Sequence, residues 1–265
     1  MQQFFRVCTL LVLGLILTSL PWLQSTVAQA PPDIVSEKPL SLSQMQKENA
    51  TFKTKVAAAP IYYNGPRTIK KVALTFDDGP DNTYTSQILD VLKQYKVKST
   101  FFVVGTMAAN NKYQANLKRI VIDGHIIANH SWSHKDLAKV STTTLNAELD
   151  KTNAIVYKYT KKKMKIFRPP YGSAKGITNQ VASKGFITVN WDVDPNDWKK
   201  GITAAEIIRT VKSQTKNGSI ILMHSAGGSR SETVKALPQI IKYLKSKGYT
   251  IVTVDQLLNK PAYAN

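Results

Sequence analysis

From Ile69 onward the chain alternates short apolar runs with amphipathic helical stretches, and this alternation restricts its fold more than any other feature. Strand patterns fall at Lys71–Phe76, Ser99–Val104, His125–Asn129, Lys165–Arg168, Phe186–Trp191, Ser219–Met223 and Tyr249–Thr253. Between them lie helical patterns at Thr85–Tyr95, Ala109–Asp123, Thr143–Tyr159, Asn179–Lys184, Ala204–Thr215 and Glu232–Lys247. Thr203 and Glu206 have capping-box spacing at one helix start, and Gly185 and Gly248 stand where two others should stop. Parallel strands need helix-length crossovers, so repeated alternation implies a parallel sheet with helices packed outside it. About seven such strands suit an α/β fold, either an incomplete (β/α) barrel or a doubly wound sheet. In both, ligands bind at the carboxyl ends of the strands.

The sequence before Ile69 has a different character. Arg6 precedes an apolar run from Val7 to Leu23, and Ala28-Gln29-Ala30 supplies a small-x-small cleavage pattern. Residues 1–30 therefore read as a signal peptide. The rival is an uncleaved anchor, since a spanning helix needs roughly 17–25 apolar residues, but Pro21 and the Ala-x-Ala pattern favour cleavage, leaving no integral membrane span. Either way the protein is expected to be exported, to the periplasm, the cell envelope or the medium. Its only cysteine, Cys8, lies in the apolar run, so the mature chain is expected to use neither disulfides nor thiol chemistry. Residues 31–67, rich in Pro, Ser, Lys and Ala, read as a flexible tether, and residues 68–260 as one domain.

The 36 basic and 17 acidic side chains give a formal charge of +19. Such a charge attracts polyanions, and for an exported protein an anionic wall polymer or lipid headgroups fit better than nucleic acid. Scattered surface lysine explains the number equally well. The run Lys161-Lys162-Lys163, with Lys165, reads as a solvated turn before a strand. Oligomeric state is not legible in the sequence.

Ionisable groups gather where five of the strands end. These stretches are Thr75-Phe76-Asp77-Asp78-Gly79-Pro80, Asn129-His130-Ser131-Trp132-Ser133-His134, Phe167-Arg168-Pro169-Pro170-Tyr171, Trp191 to Trp198, and Ile221-Leu222-Met223-His224. His130 and His134 are four apart, so one helical turn would place both imidazoles on the same side. Two imidazoles and one carboxylate make a three-ligand site with open positions, as in a catalytic zinc centre, although non-haem iron oxygenases use the same set. Adjacent Asp77 and Asp78 would face opposite ways on a strand. They can share a site only if the strand ends there, which Gly79-Pro80 makes easy. Of four histidines, His125 sits inside a strand pattern and reads as structural, whereas His224 ends a strand beside the other motifs.

Taken together these motifs resemble the NodB-type polysaccharide deacetylases, carbohydrate esterase family four, over roughly residues 68–260. The resemblance implies a distorted, incomplete (β/α) barrel and removal of N-acetyl groups from an N-acetylglucosamine-containing polysaccharide. It casts Asp77 as catalytic base, Asp78, His130 and His134 as metal ligands, and Arg168 as the partner of the base. By the same resemblance the Tyr171 N–H is an oxyanion donor, His224 the general acid, Asp197 its orienting carboxylate, and Trp198 and Leu222 the walls of the acetyl pocket. Zinc is the metal implied, with cobalt, nickel or manganese able to use the same donors. Arg168 beside Asp77 is expected to depress the carboxyl further below an ordinary value near 3.9. Peptidoglycan is the favoured substrate, followed by chitin oligomers and acetyl-xylan. An inactive glycan-binding homologue, or an amidase or esterase acting on something other than sugar, is the alternative.

Overall fold

A computed structural model describes residues 41–47 and 57–264. The expected signal peptide, with Cys8, and residues 31–40 and 48–56 of the expected tether lie outside the described residues. No helix among the described residues is long and apolar enough to cross a membrane. The chain divides into two units, Met1–Lys55 and Val56–Asn265. In the first, residues 42–47 form a helical turn, α1, whose entry is capped by the Ser41 hydroxyl accepting from the Gln44 N–H at 3.3 Å. Among the described residues the second holds every strand and both apolar clusters, so it folds around its own core.

All seven expected strands are present: β2 (Lys71–Asp77), β3 (Thr100–Val103), β4 (Ile126–Asn129), β5 (Ile166–Phe167), β6 (Ile187–Val189), β7 (Ile220–His224) and β8 (Thr250–Val252). A short eighth, β1 (Ile61–Tyr62), falls in the stretch expected to be tether and pairs with β6. Every pairing is parallel, in the order β1-β6-β5-β4-β3-β2-β7, with β8 also on β2. The sheet curls so far that its ends meet at two isolated bridges, Asn64 with Ser219 and Val193 with Ile221. The result is the distorted, incomplete barrel the motifs implied.

Side-chain alternation along the strands divides the core in two. Val72, Leu74 and Phe76 of β2 join the large cluster beneath the helices, whereas Ala73 joins a smaller cluster inside the barrel with Phe102, Ala128, Ile166, Val189 and Ile220. Fully burying a side chain such as Leu74 or Phe76 contributes about 1.5–3 kcal/mol, so strand register is strongly fixed. The helices are α2 (Tyr84–Gln94), α3 (Gly105–Ala109), α4 (Gln114–Ile122), α5 (Thr142–Thr160), α6 (Thr178–Ser183), α7 (Ala204–Gln214), α8 (Ser231–Ser246) and α9 (Val254–Leu258).

Two helical expectations need correction. The single helix expected over Ala109–Asp123 is split into α3, a 3₁₀ turn and α4, and the Asn110 side chain caps the turn by accepting from the Lys112 N–H. Helix α9 was not expected; its Val254 and Leu257 join the inner cluster at the amino-terminal end of the barrel. The ordered chain also runs past residue 260, where Ala262 and Ala264 pair with the 163–165 segment and the Tyr263 hydroxyl accepts from the Ile127 N–H at 3.0 Å.

Candidate active site

Strand β2 ends at Asp77, whose side chain points into the barrel, and Asp78 would face outward in a continued strand. Asp78 instead takes a left-handed φ of 72°. That turn brings both carboxylates to one site, as the Gly79-Pro80 break suggested. Close packing then holds Asp78: a Cβ on Gly227, itself at φ +74°, would lie 2.5 Å from Asp78 Oδ2.

The two imidazoles meet, but not by the helical turn expected from their spacing. Residues 130–134 are irregular, with Ser131 at φ 69° and His134 at φ 57°, and the His134 N–H donates to Ser131 Oγ at 3.0 Å. The loop is templated from outside by Glu148, a buried carboxylate on α5. Glu148 accepts from the N–H groups of Trp132 (2.8 Å) and Ser133 (2.7 Å) and from the Ser133 hydroxyl (2.7 Å). This role was missed, although an acid between Leu145, Leu149 and Thr152 on the buried side of an amphipathic helix is a legible signal.

His130 Nδ1 lies 2.7 Å from the Arg168 carbonyl oxygen, so that nitrogen is the protonated donor and Nε2 presents its lone pair to the site. Burial, opposed by the Asp78 charge, lowers the His130 pKa from 6.5 to about 3, leaving the ring neutral at physiological pH. His130 Nε2 is 3.6 Å and His134 Nε2 3.3 Å from Asp78 Oδ1. That oxygen is buried and has no hydrogen-bond partner.

Arg168 leaves the end of β5 and crosses the barrel interior. It is fully buried and donates to Asp77 Oδ1 at 2.7 Å, Thr75 Oγ1 at 2.9 Å, and the Val189 and Asn190 carbonyls at 3.3 and 3.1 Å. Its guanidinium carbon sits 3.9 Å from the centre of the Phe102 ring. The expectation that Arg168 would leave Asp77 more acidic than usual is overturned. Burial outweighs the attraction of Arg168 and raises the Asp77 pKa above 3.8.

On the other side, His224 Nδ1 donates to Asp197 Oδ1 at 2.7 Å, and Asp197 Oδ2 accepts from the His224 N–H at 2.9 Å and the Thr233 hydroxyl at 2.8 Å. Burial alone would lower the His224 pKa. The hydrogen bond and charge of Asp197, aided by Asp77 and Asp78, outweigh it and the net shift is upward. Thr233, on α8, was not foreseen; nothing in its local pattern distinguishes it. His125 lies away from these groups, buried before β4, and its Nδ1 accepts from the Ser99 N–H at 3.1 Å, as a structural histidine should.

These groups open into one cavity of about 430 Å³, whose lining includes Asp77, Asp78, His130, His134 and His224. Tyr171, Trp198 and Leu222 line it as well, with Tyr171 at φ 60° and its ring 4.8 Å from that of His134. Trp191 and Asp194 complete it and were not singled out in the sequence. Both belong to the long 190–203 connection, where a mixture of tryptophan and aspartate at a strand end was the available signal.

Asp78, His130 and His134 each offer one donor atom within 4.8 Å of the others. Two imidazole nitrogens and a carboxylate suit a borderline divalent cation. The stranded Asp78 Oδ1 is what such a cation would satisfy, so the residues fit the group the motifs implied. The Arg168 guanidinium pairs with Asp77 rather than with Asp78, which leaves Asp77 as a separate carboxylate beside the three donors.

Carboxylates and imidazoles thus converge at one end of a parallel barrel. Residues 64–189 match the polysaccharide deacetylase family, to which the chain belongs, and it is a hydrolase of that family. The chain is 42% identical over 199 residues to a peptidoglycan-N-acetylglucosamine deacetylase of Bacillus cereus, covering 74% of this chain and 70% of that one. It is 39% identical over 189 residues to a peptidoglycan-N-acetylmuramic acid deacetylase of Bacillus subtilis, covering 71% of this chain and 38% of that one. A crystal structure of a peptidoglycan N-acetylglucosamine deacetylase, in complex with 4-naphthalen-1-yl-N-oxidanyl-benzamide, superposes with a TM-score of 0.74 at 38% identity, covering 77% and 95% of the two chains.

Proposed function

We propose that this protein is exported and hydrolyses the N-acetyl group of N-acetylglucosamine residues in peptidoglycan, with a divalent cation held by Asp78, His130 and His134. One observation carries the reading: a single cavity joins a three-donor cluster, an Arg168-anchored carboxylate and an Asp197-anchored imidazole. Amide hydrolysis needs an activated water, a stabilised oxyanion and a proton for the leaving amine, and each need has a resident group.

A bound cation, zinc in the first instance, would polarise the acetyl carbonyl and lower the pKa of the attacking water from 15.7 to about 7. Asp77 takes the water proton through Oδ2, because Oδ1 is engaged by Arg168. Arg168 thus fixes the position of the carboxylate, while burial makes it a stronger base than a free aspartate. The Tyr171 N–H, on the strained turn at the cavity rim, donates to the oxyanion, a contribution of roughly 2.7–4 kcal/mol for a well-placed donor. His224, kept protonated by Asp197, delivers a proton from Nε2 to the amine as the C–N bond breaks. Trp198 and Leu222 wall the acetyl methyl.

Substrate choice follows from charge. The cavity lining carries Asp77, Asp78 and Asp194 but no lysine or arginine. A neutral N-acetylglucosamine fits such a lining better than N-acetylmuramic acid, whose lactyl carboxylate would find no lysine or arginine of the lining to pair with. Chitin oligomers rank second and acetyl-xylan third. The test is acetate release by Val56–Asn265 with zinc added. We expect turnover on peptidoglycan, loss of it with a chelator and with Asp77→Asn, and less acetate from muramic acid than from glucosamine units. Glycan binding without acetate release under any divalent metal would instead identify an inactive binding protein.

A further inference from the structure

The positive charge of this chain is not evenly spread. The six connections that lead from a helix into a strand span residues 95–99, 123–125, 161–165, 184–186, 215–219 and 247–249. Together they contain nine lysines and one acid, Asp123. The connections at the catalytic end, residues 78–83, 104, 130–141, 168–177, 190–203 and 225–230, contain six acidic and seven basic residues. One end of the barrel is therefore close to neutral, and the opposite end carries nearly all the local excess. A barrel does not need this: solubility is served as well by lysine on the outer helices.

The basic end is densest where α4 and α5 finish. Lys161 and Lys163 each place an ammonium 5.6 Å from the centre of the Tyr157 ring, and Lys162 lies 5.2 Å from that of Tyr263. None of the three is ion-paired among the described residues. Lys161 holds a left-handed φ of 59° at the end of α5, a position where glycine is the usual residue. At the same end of the barrel, Tyr157 is 41% exposed and Ile122, the last residue of α4, is 79% exposed. The run read from sequence as a solvated turn is thus part of a larger face combining unpaired ammonium groups with exposed apolar side chains.

We propose that this face docks on an anionic lipid bilayer, so that the catalytic cavity points away from the membrane. The lysines come from connections distributed around the whole barrel end, which makes a broad face rather than a groove, and a broad face matches a plane better than a single polymer strand. Exposed Ile122 and Tyr157 beside lysine fit a headgroup boundary, where an apolar side chain and an ammonium are both satisfied. Each lysine near an anionic bilayer is worth about fivefold in partitioning. Neutralising three of them is therefore expected to weaken binding about a hundredfold.

The test is co-sedimentation of Val56–Asn265, which lacks the apolar segment near the amino terminus, with vesicles of phosphatidylcholine alone or mixed with phosphatidylglycerol. We expect binding only to the anionic vesicles, weakened by salt. It should fall about a hundredfold in K161Q/K162Q/K163Q and be retained in K112Q/K139Q/K175Q, which loses the same charge elsewhere. Ile122→Ser should weaken binding to anionic vesicles with little change in salt dependence. The proposal is overturned by equal binding to neutral vesicles, by equal losses in the two triple variants, or by capture on soluble polyphosphate without vesicle binding. Acetate release is expected to persist in K161Q/K162Q/K163Q, which separates this face from the catalytic reading.

Discussion

The two partners of the ion pair inside the barrel should be strongly coupled, so that losing both costs less than the sum of losing each. Arg168 and Asp77 are in contact at 2.7 Å with side-chain exposures of 0% and 3%. Removing one partner of a buried pair strands the other charge and costs about 3–5 kcal/mol. Arg168→Met also leaves Thr75 Oγ1 and two backbone carbonyls without a donor, each worth about 1 kcal/mol. We therefore expect a loss of about 6–8 kcal/mol for Arg168→Met and about 3–5 kcal/mol for Asp77→Asn. The double variant should lose less than the sum by about 2–4 kcal/mol, because no charge remains stranded. The assay is urea unfolding of Val56–Asn265 at pH 7 with metal chelated. The pH dependence adds an independent check. Since the folded-state pKa of Asp77 lies above 3.8, the folded protein holds a proton that the unfolded chain has already released, and stability falls as pH rises through that window. Asp77→Asn should flatten that fall. Single losses below about 1 kcal/mol, or a double variant additive within about 0.5 kcal/mol, would refute the idea that Arg168 is held by charge inside the barrel.

Other perturbations address separate parts of the site. Gly227→Ala places a Cβ 2.5 Å from Asp78 Oδ2 at a backbone φ of +74°, so Asp78 must move; calorimetric titration should show zinc affinity at least tenfold weaker while the far-UV CD spectrum is unchanged. Asp197→Asn removes the charge that raises the His224 pKa. The alkaline limb of the kcat profile, where the general acid loses its proton, should shift to lower pH, with kcat down by roughly 10²–10⁴; an unmoved limb would exclude His224 as the acid. His125, buried with its pKa lowered from 6.5 to about 4, lets the unfolded chain bind a proton that the folded protein does not. Stability is therefore lost as pH falls from 6.5 to about 4, by about 3 kcal/mol. His125→Asn, which keeps an acceptor for the Ser99 N–H, should remove that part of the acid sensitivity in chemical unfolding.

The strands and most helices were legible because both clusters are built on simple periods. Val72, Leu74 and Phe76 alternate with Ala73, Thr75 and Asp77, and a period of two survives in any sequence that buries both faces of a barrel strand. Helix α9 escaped because five residues are too few for a period to show. Strand β1 escaped because two residues after an alanine- and proline-containing stretch look like linker until β6 supplies a partner. The site residues were legible as types gathered at strand ends, whereas the roles proposed for them come from family resemblance. Thr233 was not, because it acts on a residue distant in sequence, and Glu148 was legible only as an acid on a buried helix face, its partners being set by folding. The error over Asp77 has the same origin. Sequence puts an arginine near the carboxylate but does not say that both lose their water, and here desolvation outweighs the pairing.

The conformation of the site has a further source that no periodic pattern contains. Of the eight non-glycine residues with positive φ among the described residues, five, Asp78, Ser131, His134, Tyr171 and Asn196, lie in the segments that build the cavity. Such conformations persist only where surrounding contacts over-determine them. Glu148 and the Ser131 hydroxyl hold the loop carrying His130 and His134, and Gly227 leaves room for Asp78. A helical turn would have brought the two imidazoles side by side without help, but it would have aligned both with one axis. The irregular loop sets the rings 66° apart with centres 5.0 Å from one another, so their nitrogens approach Asp78 Oδ1 from different directions. Convergence from separate directions is what a tetrahedral cation requires of its donors. The distortion of the backbone and the donor geometry therefore have one cause, and relaxing the loop into a regular helix should lose the cation before it loses the fold.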